Sequence, residues 1–159
     1  MKKIKGNSVS TGVAIGNVKI IKKHELHIEN KKIYNKEIES EISRFKESID
    51  YVINELNKLI QDFTYSQENR DILESHKLIL QDPEFISKIS KLISDEHNSL
   101  ELAINTYFNE AIDIFSGMSN KYLAHKVNDF EDVAYRLLSH IMDERKDIVE
   151  DVVENSILI

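Results

Sequence analysis

Ile38-Glu-Ser-Glu-Ile42-Ser-Arg-Phe45-Lys-Glu-Ser-Ile49-Asp-Tyr-Val52-Ile-Asn-Glu-Leu56-Asn-Lys-Leu59-Ile-Gln-Asp-Phe63 sets its apolar residues four and three positions apart in alternation. Polar and charged residues fill most of the spaces between. A helix of 3.6 residues per turn gathers such positions into one narrow stripe, close to a coiled-coil seam. The spacing therefore predicts a long amphipathic helix from Asn35 to Phe63, with Asn35 as its N-cap.

The same period continues toward the C-terminus. A second helix is predicted over about Gln67–Leu80, with Ile72, Leu73, His76, Ile79 and Leu80 on one side. Asp82-Pro83 restarts the chain, because Asp caps well and Pro is tolerated at the first helical position. The restarted helix carries Phe85, Ile86, Ile89, Leu92 and Ile93. Another begins near Ser99 and runs to Phe115, with Gly117 as a C′ stop. The last covers about Asn120–Met142. Long helices with mostly short joints predict a mostly α, four-helix-bundle-like fold.

Residues 4 to 22 read differently. They hold three of the four glycines and the β-branched pairs Val13/Ile15 and Val18/Ile20, which predicts two short strands. At the other end, Ser156-Ile-Leu-Ile159 looks like a buried strand for which the opening strands could supply a parallel neighbour. Too few strands are present for a whole sheet, which is the expectation for a chain cut from a longer one.

With 159 residues the chain can bury roughly 70% of its unfolded surface. It is 41% hydrophobic, enough for a packed core, and 31% charged. A formal charge of −7 argues against nucleic acid and for a basic protein partner. There is no cysteine, so disulfides and thiolate chemistry are excluded. Neither a signal peptide nor a run of about 20 apolar residues is present, so the chain reads as cytoplasmic.

Catalytic constellations are absent from the pattern. The glycines at 6, 12 and 16 end in no Gly-Lys-Ser/Thr and form no Gly-x-Gly-x-x-Gly, so bulges or tight turns account for them. No histidine has Glu three positions before it, as a di-iron bundle requires. His140 and Glu144 lie one turn apart, a lone pair that does not make a metal site. His24, His27 and His97 fall in polar connectors and read as solvated, whereas His76 falls on the apolar side of its helix. The acidic residues are more telling. Glu68, Asp71, Glu74, Asp82 and Glu84 run beside Ile72, Leu78, Ile79 and Phe85, which reads either as an ordinary solvated helix face or as a docking surface, an apolar centre with a negative rim suited to a positive partner.

Three stretches resemble the N-terminal part of enzyme I of the bacterial phosphoenolpyruvate-dependent sugar phosphotransferase system. They are Ser10-Thr-Gly-Val-Ala-Ile-Gly16, then Glu74-Ser-His-Lys-Leu-Ile-Leu-Gln-Asp-Pro-Glu84, then Met118-Ser-Asn-Lys-Tyr-Leu123 continuing through Asp129, Asp132 and Arg136-Leu-Leu138. In order and separation they span nearly the whole chain. The resemblance implies a helical domain, residues 24 to 143, inserted into a swivelling α/β domain represented by residues 1–23 and 144–159. It implies docking of the histidine phosphocarrier protein HPr. The implied carrier-facing residues are Gln67, Glu68, Asp71, Ile72, Glu74, Leu78, Ile79, Asp82, Glu84 and Phe85, with Phe115, Met118, Tyr122 and Lys126 from the later helices.

The chain departs from the family in ways that matter. Lys126 stands where the family usually has arginine, Glu131 where it often has another, and Gln67 where an acid is common. Lysine lacks the bidentate fork of arginine. The phosphorylated histidine of the family follows Gly-Gly-x-x-Ser-His, and neither Ser75-His76 nor Ser139-His140 has those glycines. No catalytic residue, metal or cofactor is therefore expected in this chain, magnesium belonging to the family's C-terminal barrel. The chain alone is expected to bind without catalysing, as a monomer, the parent enzyme dimerising through its other part. Two other readings stay open. One is a free-standing helical module that self-associates through the Ile38–Phe63 seam; the other is a nitrogen-regulatory or kinase-linked branch of the same family.

Overall fold

Residues 12–13, 15–19, 26–62, 66–117, 121–143 and 156–158 are described by the structure, a computed structural model. The chain divides into two units, one of Leu26–Arg145 and one of Met1–Glu25 with Lys146–Ile159. In the second unit Asn17–Lys19 (β1) and Ser156–Leu158 (β2) pair in parallel, Val18 opposite Ile157. Val13 and Ile15, anticipated in a strand, are almost fully exposed and lie outside regular structure, while Ala14 between them lies outside the described residues. Ile20 lies outside the described residues.

The helical unit contains a 3-10 turn at Asn35–Glu37 and five α-helices among the described residues, the long ones and the shorter one restarted at Asp82-Pro83. These are α1 (Ile38–Gln61), α2 (Gln67–Leu80), α3 (Pro83–Ser94), α4 (Leu100–Ser116) and α5 (Lys121–Ile141). The restart at Asp82-Pro83 forms as predicted. Pro83 has no N–H for a continuing helix, and Asp82 Oδ1 accepts the Glu84 N–H at 2.7 Å, so α3 starts afresh. Ser66 and Ser99 cap α2 and α4 in the same way, each hydroxyl accepting an N–H at 3.3 Å.

α1 touches all four other helices. Its alternating stripe explains why: Phe45, Ile49, Val52 and Leu56 are buried on one side, and Ile38, Ile42, Ile53, Leu59 and Ile60 pack partly buried against the same core. Phe63 lies outside the described residues. The seam is thus consumed within the unit, and no apolar stripe of α1 is left for a second copy. Phe85 of α3 sits between Phe45, Tyr107 and Phe108 at centroid distances of 5.7, 5.1 and 5.6 Å. These tilted and edge-on rings knit α1, α3 and α4 together.

The segment before α1 forms a strap. Ile33 N–H donates to His97 O at 2.7 Å and Ser99 N–H donates to Lys31 O at 3.0 Å, an isolated antiparallel bridge that ties residues 31–33 to the α3–α4 joint. Lys32 Nζ adds bonds to Glu96 O at 3.0 Å and to the buried Asn98 side chain. His97 holds a left-handed φ of +57° and its ring meets the Asn35 side chain, so it is fixed in the joint where the sequence suggested free solvation. Asn35 accordingly does not cap α1. Instead Tyr34 N–H donates to Glu37 Oε2 at 2.8 Å, which secures the 3-10 turn. Gly117 ends α4 with a right-handed φ of −74°, its N–H donating to Asp113 O at 3.2 Å, so the left-handed C′ geometry is not used.

Candidate functional site

α2 has two unlike faces. Leu73, His76 and Leu80 are buried, while Gln67, Glu68, Asp71, Ile72, Glu74 and Leu78 are exposed. At 100° per residue, Gln67, Asp71, Glu74 and Leu78 form one exposed stripe, and Glu68 and Ile72 lie beside it. Ile72 is 49% exposed and Leu78 69% exposed, large apolar side chains standing among carboxylates. Ile79 is half-buried and packs against the core.

The polar members are ordered by one another. Gln67 Nε2 donates to Asp71 Oδ1 at 2.8 Å, Lys77 pairs with Glu74 at 3.1 Å, and Lys88 pairs with Glu84 at 3.1 Å. Glu84 keeps the Lys88 ammonium above its ordinary pKa. Asp82 is exposed but has a second task as the α3 cap. Exposed pairs of this kind are worth little to stability, typically about 0–1 kcal/mol.

Phe85 does not belong to the surface. It is 0% exposed, and its ring fills the aromatic cluster, so it cannot reach a partner. The spacing that put it beside Glu84 was right for the helix, but α3 turns that side inward. On the later helices Phe115 is half-buried with its ring 5.3 Å from Phe130, and Lys126 is half-buried and pairs with Asp129 at 3.4 Å. Asp129 in turn lies 3.9 Å from His76 of α2. The 126–130 stretch of α5 therefore lies between α2 and the end of α4, and joins both to one surface. Met118 and the Tyr122 side chain lie outside the described residues. Ile114, 60% exposed and next to Phe115, is an apolar surface residue that sequence reading passed over. Its signal was faint, since Ile112, Ile114 and Phe115 give α4 apolar residues on more than one side.

Among the described residues no other cluster offers chemistry. A cleft of about 550 Å³ is lined by His27, Glu29, Lys31, Arg44 and Glu101 among others. Its guanidinium is already engaged: Arg44 binds Glu101, Glu41 and the Ile141 carbonyl. Burial works against the Arg44 charge, but Glu101 and Glu41 outweigh it and raise the pKa further. Among the described residues no group of three His, Asp or Glu side chains could hold a metal ion, and no helix is long and apolar enough to cross a membrane.

The two Ser-His pairs are occupied structurally. His140 stacks on Tyr51 with centroids 3.9 Å apart, and Ser139 Oγ bonds the Tyr135 carbonyl. His76 is 3% exposed with no hydrogen-bond partner for either ring nitrogen, a burden of about 1–3 kcal/mol per orphaned group. Burial pushes its pKa down, against the pull of Asp129 and Asp132 and with that of Arg136 and Lys126. A ring so enclosed is no nucleophile for an outside phosphoryl donor.

Residues 5–126 match the family described as PEP-utilising enzyme, N-terminal. Phosphoenolpyruvate-protein phosphotransferase of Bacillus subtilis is 30% identical over 144 residues, which is 89% of this chain and 25% of that protein. The protein of the same name from Buchnera aphidicola is 33% identical over 144 residues, 88% of this chain and 25% of its own length. This chain thus spans about a quarter of these relatives. A solution NMR structure of Enzyme I superposes with a TM-score of 0.75 at 23% identity, covering 94% of this chain and 61% of that one. The N-terminal domain of a nitrogen Enzyme 1 gives 0.69 at 20% identity, covering 92% and 60%. These two share the fold. With more than half its length matched to one family model, this chain belongs to the family of PEP-utilising enzyme N-terminal regions.

Proposed function

We propose that the helical unit docks a histidine phosphocarrier protein of the HPr type, as part of an enzyme I that moves phosphoryl from phosphoenolpyruvate to that carrier for sugar uptake. The observation that carries this reading is the exposed face of α2, where Ile72 and Leu78 stand in water amid Glu68, Asp71 and Glu74. A helix needing only solubility would place polar residues there. An apolar centre supplies affinity by excluding water, and a negative rim steers a basic partner and fixes its orientation. Asp82, Glu84, Phe115, Lys126 and Ile114 extend the surface; Phe85 does not.

The unit's contribution is positioning. Holding the carrier's histidine beside a phosphohistidine replaces a chance encounter with an effectively intramolecular transfer. Neither His76 nor His140 is the phosphorylated group in this reading, since one is buried and the other is stacked on Tyr51.

A titration of the isotope-labelled chain with HPr from the same organism, followed by amide shifts, tests the proposal. Shifts clustered on residues 67–84 and 114–126 and weakening with added salt are the expected result. Charge reversal at Glu68 and Asp71 should weaken binding by about tenfold or more at low salt and flatten its salt dependence. Unchanged affinity in that double variant, or no shifts with millimolar carrier, would overturn it.

A further inference from the structure

His76 is the one buried histidine among the described residues, and its isolation is specific in direction. Its Nε2 lies 3.9 Å from Asp129 Oδ1, too far for a hydrogen bond, while Asp129 Oδ2 lies 3.4 Å from Lys126 Nζ. One carboxylate therefore faces a buried imidazole on one side and a half-exposed ammonium on the other. A leucine would fill the same place in α2 without orphaned nitrogens. An imidazole one small shift from a shared carboxylate is what a proton-dependent contact needs.

The surroundings of His76 favour this reading. Among the described residues, the charged groups that act on it come from α5, where Asp129 and Asp132 oppose Lys126 and Arg136. On α1, Glu55 holds Arg136 at 3.4 Å. On its own helix Lys77 is taken by Glu74, and Arg70 bonds the Asp62 carbonyl. The buried face of α3 is apolar: Phe85, Ile89 and Ile93. Asp129 is thus the acceptor nearest at hand for a new imidazolium.

We propose that His76 is a proton-operated switch beneath the α2–α5 face: on taking a proton from solvent it draws Asp129 into an ion pair and releases Lys126. The face then carries one more positive charge, and a cation formerly neutralised by Asp129 reaches the surface. A basic partner is held less well in that state. The consequence for binding rests on the docking reading above, whereas the switch itself does not. Because burial disfavours the imidazolium, the switch operates below the ordinary histidine pKa of about 6.5.

The test follows the His76 ring and the Lys126 and Asp129 amides by NMR from pH 7.5 to 5.0, in the full chain and in His76→Gln and Asp129→Asn. In the native chain all three should move with one midpoint below 6.5. His76→Gln should abolish the common movement, and Asp129→Asn, an exchange nearer the surface, should leave Lys126 still while the ring titrates. Equal movement of Lys126 and Asp129 in the native chain and His76→Gln would overturn the switch. HPr is then titrated at pH 7.5 and 5.5. The loss of affinity on acidification should be about fivefold greater in the native chain than in His76→Gln, the carrier's own titration being common to both. An equal loss in both would sever the switch from docking. Concerted amide movement with no carrier binding at either pH would leave the switch standing and overturn the docking reading.

Discussion

Leu78 and Phe85 lie seven residues apart and have opposite tasks. Phe85 is 0% exposed at the hub of the aromatic cluster, so Phe85→Ala should cost about 3–5 kcal/mol in urea unfolding. Leu78 is 69% exposed, so Leu78→Ala should change stability by no more than about 0.5 kcal/mol. The same change should weaken carrier binding by about tenfold, as expected where an apolar centre is truncated. Asp82 separates two roles within one side chain. Asp82→Asn keeps an acceptor for the Glu84 N–H and should leave the melting temperature unchanged while lowering affinity; Asp82→Ala should in addition destabilise by about 1 kcal/mol. Periodicity placed Phe85 on the apolar stripe of α3 and left Leu78 off that of α2; the neighbouring acids and the family resemblance put Phe85 on the surface.

Among the helices, α1, α2 and α4 were legible because their signals are local. The four-three stripe fixes α1, the apolar period marks α2, Ser99 marks the start of α4, and Asp82-Pro83 marks α3. The joints were less legible because their geometry depends on contacts across some 60 residues of chain, as Asn35 with His97 shows. Gly117 makes the point testable. A left-handed C′ glycine resists substitution, but here φ is −74° and an added Cβ would meet the Asp113 and Ile114 carbonyl oxygens at an ordinary 3.6 Å. Gly117→Ala should therefore stabilise the chain by about 0.4–1 kcal/mol, read as a higher melting temperature.

For the whole molecule, the buried imidazole gives stability a pH dependence of known sign. The pKa of His76 is lower folded than unfolded, so on acidification the unfolded chain takes up this proton first. Its contribution is fully present above about pH 6.5 and is lost as pH falls toward the folded value. The urea midpoint should drop between pH 7.5 and 5.5 by more in the native chain than in His76→Gln. Much of the candidate surface was visible in sequence as acids beside apolar residues. The approach of His76 to Asp129 was not, because it joins residues 53 positions apart that only the packing of α2 on α5 brings together.

The strap ahead of α1 also defines a route for mechanical load. Ile33 and Lys31 are bonded to His97 and Ser99, so tension on the chain before Leu26 is carried into the α3–α4 joint before it reaches the first turn of α1. These two backbone bonds and the Lys32 contacts share that load with the first turn of α1.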